Sequence, residues 1–213
     1  MLNNVIPNMT LGKERAMLSI LLCNRNEPKI KEFVSEIERL LPVGEIIIIN
    51  DSEAKGKGWA LREALKEATG QQIAFLDGDA EIPCRMLKRL LPFLEDFDAV
   101  VGSKRITNAP LRRKIMTHLT RLWFRFLFGV QVDTQTGIKL FRRTTLEALN
   151  WSWEANGWIF DAEVIARLQK KGFRIVEVPI ECEIRRQLPI SRIFKIFGES
   201  LWLKCRLLWP AKR

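Results

Sequence analysis

The chain has 213 residues, 47% of them hydrophobic, and a formal net charge of +10. That length and apolar content suit one domain with a full core and a small appendage, and they exclude a disordered polymer. The charge is unevenly placed: residues 104–125 hold seven Lys or Arg and no acid, and residues 185–213 hold eight against Glu199 alone, so the rest of the chain is net acidic.

Two basic patches on an acidic body point to a polyanionic partner, whether phosphates, nucleic acid or an anionic membrane surface. Cys23, Cys84, Cys182 and Cys205 show no Cys-x-x-Cys spacing, and no signal peptide is visible. This reads as a cytoplasmic chain with reduced thiols and speaks against structural zinc. His118 is the single histidine and falls in a helical pattern, so histidine-dependent catalysis is nearly excluded.

In chain order, residues 1–15 read as a loose leader. A buried-strand run at 16–22 is followed by a helix from Pro28 to Leu41, whose apolar residues recur at helical spacing. Residues 45–49 form a second apolar strand ending in Asn50 and Asp51. Gly56-Lys57-Gly58 leads into a helix over 59–69 expected to be capped by Gly70. Glycines before a helix let backbone amides and a lysine approach phosphate, although a plain loop is an equal reading of so short a motif.

The third strand, 72–77, runs into Asp77-Gly78-Asp79-Ala80-Glu81. Side chains two apart on an extended backbone point the same way, so the three carboxylates can converge beyond the strand end. Such an oxygen set suits Mg²⁺ or Mn²⁺, with substrate phosphates completing the shell. Asp and Gly are also ordinary turn residues, so a solvated turn is the plain alternative. The position favours a site, because ligands of open α/β sheets sit at the carboxyl ends of strands.

A helix over 83–94 and a strand over 98–103 complete an alternation that predicts an α/β domain with a mostly parallel sheet. Further strands are expected over 136–141 and 173–179, the latter ending at Pro179, with a helix over 158–171 closed by Gly172. Leu111, Ile115, Leu119, Leu122 and Phe126 lie on one helical stripe interrupted by Arg112, Arg113, Lys114, Arg121 and Arg125. A second amphipathic stretch carries Ile190, Phe194, Phe197, Leu201 and Trp202 among Arg192, Lys195, Lys204 and Arg206. Large apolar residues mixed with cations mark helices lying at a membrane interface, and neither stretch holds the roughly 20 apolar residues needed to span one. Ordinary packing on the surface of a basic domain is the competing reading.

The order of Gly56-Lys57-Gly58-x-Ala60-x-Arg62, Asp77-Gly78-Asp79-Ala80-Glu81, Asp133-Thr134-Gln135-x-Gly137-x-Lys139-Leu140-Phe141, Trp158-x-Phe160-Asp161-x-Glu163 and Glu177-Val178-Pro179 resembles the family 2 glycosyltransferases. The branch it looks most like is that of the dolichyl-phosphate mannosyl- and glucosyltransferases. The resemblance implies a single GT-A domain, Rossmann-like and nucleotide-sugar-binding, over 16–183. Amphipathic interfacial helices would accompany it, with residues 184–213 as a membrane-associating segment.

It further implies that Asn26, Glu27, Asp51, Lys57 and Asp77 line the nucleotide site, and that Asp77, Asp79 and Glu81 hold Mg²⁺ or Mn²⁺. Lys104, Arg113, Arg186, Ser191 and Arg192 would meet the acceptor phosphate, and Asp77, Asp79, Arg113 and Asp161 are the candidate catalytic set. The implied partners are a UDP or GDP sugar, a polyprenyl or dolichyl phosphate and an anionic membrane surface, with no nucleic acid. The setting would be peripheral, at the cytoplasmic face of the membrane.

The reaction expected is inverting transfer of a hexose to the lipid phosphate. A soluble sugar acceptor is the alternative; it would need a carboxylate base, for which Asp161 or Glu163 is available. A basic nucleic-acid-binding or membrane-recruitment module is the non-enzymatic alternative. The family inserts a helix and an edge strand after Asp51, but only five residues, 52–56, stand there. No outer strand is therefore expected from that segment, since a parallel crossover needs about a dozen residues.

Overall fold

The computed structural model describes residues 4–7, 18–41, 43–104, 111–150, 153–157, 159–182 and 190–208, with the side chains of 4–7, 111–114, 190–194 and 208 excepted. Its centre is a seven-stranded sheet: β1 (Asn4–Pro7), β2 (Leu18–Asn24), β3 (Glu45–Asn50), β4 (Gln72–Asp77), β5 (Ala99–Lys104), β6 (Ile138–Arg142) and β7 (Ile175–Ile180). The spatial order is β1-β3-β2-β4-β6-β5-β7. Strands β2, β3, β4, β5 and β7 run one way, while β1 and β6 run against them, so the sheet is mostly parallel.

Apolar residues fill both faces in strict alternation. Leu21, Ile47, Ile73, Phe75, Val101 and Phe141 face one core, and Ile20, Leu22, Ile46, Ala74, Leu76, Val100 and Leu140 face the other. Helices α2 (Lys57–Glu67) and α6 (Phe160–Lys170) cover the first face, and α1 (Ile30–Leu40) and α3 (Arg85–Leu90) the second. Phe33, Val34 and Ile37 form the buried stripe of α1, which stops at the extended Leu41. The residue before a proline is driven from the helical region, and Pro42 follows.

Several expectations shift. Part of the supposed leader is strand β1, which pairs antiparallel with β3 and covers its outer edge. Residues 52–56 make a turn and supply no strand. Helix α2 begins two residues early and ends at the extended Ala68, so Gly70 is not its cap. Gly70 instead presses on β2, where a Cβ would lie 2.5 Å from Ser19 Oγ. Strand β7 passes through Pro179, as an outermost strand permits. A short helix, α5 (Arg143–Glu147), follows β6 directly.

Helices α4 (Leu111–Phe128) and α7 (Ile190–Leu208) pack together, with Trp123 against the Phe197 ring at 4.9 Å and its Nε1 donating to Ser200 Oγ at 2.8 Å. Ile196 and Leu203 reach the core, so the C-terminal segment is partly ordinary packing. The apolar stripe of α4 faces outward: Ile115, Leu119, Leu122 and Phe126 are exposed, whereas Phe124 and Leu127 turn inward.

Candidate active site

The chain leaves β2 for β3 on one side and returns to β4 on the other. This reversal opens a crevice at the carboxyl ends of the parallel strands. Asn24, Asn50 and Asp77 stand on that rim, with Asn24 beside Asn50 and Cys23 beside Asp77 in register. Asn24 Nδ2 donates to Asn50 Oδ1 at 2.6 Å, and its Oδ1 accepts the Glu27 N–H at 3.1 Å. Asn26 sits exposed in the left-handed region at φ 57. Asp51, only 3% exposed, accepts the Lys55 N–H at 2.6 Å and the Gly56 N–H at 2.9 Å. Its carboxylate thus organises the short turn that aims α2 at the rim.

The glycines flanking Lys57 make room for a neighbouring stretch of backbone. Gly58 N–H donates to Asn156 O at 2.8 Å, and Cβ atoms at Gly56 and Gly58 would each lie 2.2 Å from a carbonyl oxygen of Asn156 or Ala155. Another stretch of backbone, rather than open space for a phosphate, occupies that position. Lys57 is the residue this junction presents to the crevice.

Alternation continues through Ile73 and Phe75 to Asp77, placing its carboxylate on the α2 and α6 face. There Lys57 Nζ lies 2.8 Å from Asp77 Oδ1 and 2.9 Å from Asp161 Oδ2. Lys139, 1% exposed, points to the same face from β6 and lies 2.9 Å from Asp161 Oδ1. That approach is off the hydrogen-bonding direction, so it acts as an ion pair, and Lys139 Nζ donates to Thr136 O at 2.5 Å.

Burial pulls the Lys57 ammonium down, but Asp161 and Asp77 outweigh it and hold its pKa well above the ordinary lysine value. Burial pushes Asp161 up, yet Lys139 and then Lys57 bring it below the usual carboxylate range. For Lys139 burial prevails: Asp161 opposes it, the like charge of Lys57 adds to it, and the pKa lies below an ordinary lysine's.

Asp79 accepts the Glu81 N–H at 3.1 Å across Ala80, which sits at φ 53. Its carboxyl is pushed up by burial and then by Asp77; Glu81 adds to this, while the Glu81 amide and Lys104 pull down. Asp77 and Asp79 thus sense one another, and Lys104 reaches their field from the end of β5. Among the described residues, no three His, Cys, Asp or Glu side chains gather around one point. The expected convergence is incomplete because Asp77 turns into the α2 and α6 face toward Lys57.

Of the two carboxylates weighed as a base, Glu163 is fully buried and already committed. It accepts the Glu154 and Ala155 amides and pairs with Arg167 at 2.6 Å. The side chains of Arg113, Ser191 and Arg192, and all of Arg186, lie outside the described residues.

Two contributors were quoted in the sequence motifs without a role. Lys139 is a charged residue at an inward position of the apolar run Ile138–Arg142, which is the signal that could have found it. Gly137 is the other: its carbonyl accepts the Asp77 N–H at 2.9 Å, and a Cβ there would lie 2.1 Å from Asp77 Oδ2.

Comparison with known proteins bears on the fold and the family. Glucosyl-3-phosphoglycerate synthase from Mycobacterium tuberculosis, in complex with Mn²⁺, uridine diphosphate and phosphoglyceric acid, superposes with a TM-score of 0.70 at 17% identity, over 89% of this chain and 78% of that one. It shares the GT-A fold. Glycosyltransferase AglD of Haloferax volcanii is 31% identical over 153 residues, covering 67% of this chain and 24% of that protein.

The dolichyl-phosphate beta-glucosyltransferase of Saccharomyces cerevisiae is 27% identical, covering 62% of this chain and 46% of the enzyme. The undecaprenyl-phosphate mannosyltransferase of Micrococcus luteus is 26% identical over 197 residues, covering 76% and 81%. The chain therefore spans about a quarter of the first of these relatives and about half of the second. The sequence family described as Glycosyl transferase family 2 matches residues 27–149, more than half of the chain. With its motifs standing on the rim of a GT-A sheet, the chain belongs to glycosyl transferase family 2.

Proposed function

We propose that the chain transfers a hexose, with inversion, from a UDP or GDP sugar to a polyprenyl or dolichyl phosphate at the cytoplasmic surface of a membrane. The observation that carries this reading is that neither candidate base is available. Asp161 is held ionised between two ammonium groups and Glu163 is committed to Arg167 and two amides. A sugar hydroxyl acceptor needs a base at this position. A phosphate monoester has a second pKa of about 6 and arrives already ionised. The same acceptor class appears in the names of the yeast and Micrococcus relatives.

What remains for the protein is positioning and charge neutralisation. Lys57 stands at the mouth of the buried charge cluster, its side chain 15% exposed, where the donor's diphosphate would meet it. Lys104, with Arg113, Arg186, Ser191 and Arg192, would receive the acceptor phosphate. Asp77 and Asp79 are the pair a hard divalent cation would draw together, because burial and then Asp77 push the Asp79 carboxyl up, a strain that a nearby positive charge relieves, and Glu81 would add a third oxygen ligand. Bound there, Mg²⁺ or Mn²⁺ would supply neutralisation of the leaving diphosphate.

The test is a panel of UDP and GDP sugars with a short-chain polyprenyl phosphate, with and without Mn²⁺. Transfer to the lipid phosphate is expected, and Asp79→Asn should remove its metal dependence without unfolding the protein. Transfer confined to soluble sugar hydroxyls, or unchanged turnover in Asp79→Asn, would overturn the reading.

A further inference from the structure

Lys139 is a charged group of the site that substrate cannot reach. It is 1% exposed, lies across from Phe75 in the sheet, and is enclosed by the core on the α2 and α6 face. A lysine so placed is expensive to desolvate, and a strand position between Ile138 and Leu140 would ordinarily take a β-branched or aliphatic side chain. Its contacts run in one line: Thr136 O accepts from Nζ, Asp161 Oδ1 lies 2.9 Å away, Asp161 Oδ2 is 2.9 Å from Lys57 Nζ, and Lys57 is 2.8 Å from Asp77 Oδ1. Two cations alternate with two anions from the core to the mouth of the crevice.

Alone, Asp161 could turn either oxygen to Lys57, or both. With Lys139 fixed on the inner oxygen, the outer one is left in a single place. Lys57 donates to Asp161 Oδ2 and is held 2.8 Å from Asp77 Oδ1 as an ion pair, so the direction of its remaining N–H groups follows from where those two carboxylates sit.

Resting on the family 2 transferase reading, we propose that Lys139 is a positioning residue: it clamps the inner oxygen of Asp161, so that Asp161 and Asp77 together aim the Lys57 ammonium at the donor diphosphate. The competing account is a buried ion pair that serves folding alone. Such pairs can be exchanged for neutral groups of similar shape with little loss of stability.

The discriminating variant is Lys139→Met, which leaves Asp161 charged beside Lys57 but without its inner partner. It is compared with the double change Lys139→Met with Asp161→Asn, which keeps volume and removes both charges, and both are assayed well below their melting temperatures. The single variant should melt at a lower temperature than the wild type, bind UDP or GDP about tenfold more weakly and turn over about 10²-fold more slowly, the scale of a misplaced charged group. The double variant should recover most of the loss in melting temperature but not the nucleotide binding.

Wild-type nucleotide binding and turnover in folded Lys139→Met would assign Lys139 to folding only and overturn the proposal. Nucleotide binding is measured without acceptor. If the wild type fails to transfer to lipid phosphate, the acceptor reading falls, while the binding comparison still decides the role of Lys139.

Discussion

At the scale of single residues, the rim carries a thiol that its surroundings keep inert. Cys23 lies beside Asp77 in the sheet; burial, then the charges of Asp77 and Asp51, push it up to about 12 despite Lys57 and Arg25. Since the thiolate is the reactive form, alkylation near neutral pH should spare Cys23 and modify exposed Cys205 first. Mass mapping after brief iodoacetamide treatment checks this, and early loss of Cys23 would contradict the geometry.

Asp79 yields a pH dependence. Its pKa is raised in the fold, so its own contribution to stability is present at low pH, where it is protonated, and is lost as pH rises through the raised value. A cation needs the ionised form. The rise in melting temperature caused by Mn²⁺ should therefore shrink as pH falls toward the raised Asp79 value, and it should vanish in Asp79→Asn. A Mn²⁺ shift independent of pH would place the ion elsewhere.

At the scale of elements, the segment entering β6 fixes the site more tightly than any helix. A Cβ at Gly137 would lie 2.1 Å from Asp77 Oδ2 and 2.6 Å from its Cγ. Gly137→Ala must therefore rotate the carboxylate away from Lys57, at a cost to turnover of about 10²-fold, with little change in melting temperature because Asp77 can move toward solvent. Wild-type activity in that variant would remove Asp77 from the mechanism. The central strands were legible because unbroken runs such as Glu45–Asn50 and Gln72–Asp77 can only be buried on both faces. Strand β1 was not, since four residues with two apolar side chains carry little period, and its partner β3 lies far away in sequence. The carboxylates were legible as a group, but not the direction of Asp77, which depends on Lys57 arriving from another element. The two readings of the glycines at 56–58 could not be separated in the sequence, because the carbonyls they approach belong to residues 155 and 156.

At the scale of the whole molecule, two rows of apolar side chains remain uncovered on one joined unit. Ile115, Leu119, Leu122 and Phe126 on α4 and Leu201 and Trp202 on α7 are exposed, Phe126 by 84%, while Trp123 ties the two helices together through Ser200 and Phe197. No helix among the described residues is long and apolar enough to cross a membrane. Exposed Arg125, Lys195 and Arg206 accompany the apolar rows, and each cation near an anionic surface adds about 1 kcal/mol. The chain should therefore sediment with anionic vesicles at low salt. Binding should weaken as salt screens the cations, but not vanish, because burial of Phe126 and Trp202 is not screened. Phe126→Glu with Trp202→Glu should abolish the residual binding at high salt and leave the melting temperature within a few degrees, since neither side chain is in the core. A protein that ignores anionic vesicles even at low salt could not meet a phosphate held at a bilayer surface, and its acceptor would then have to be soluble.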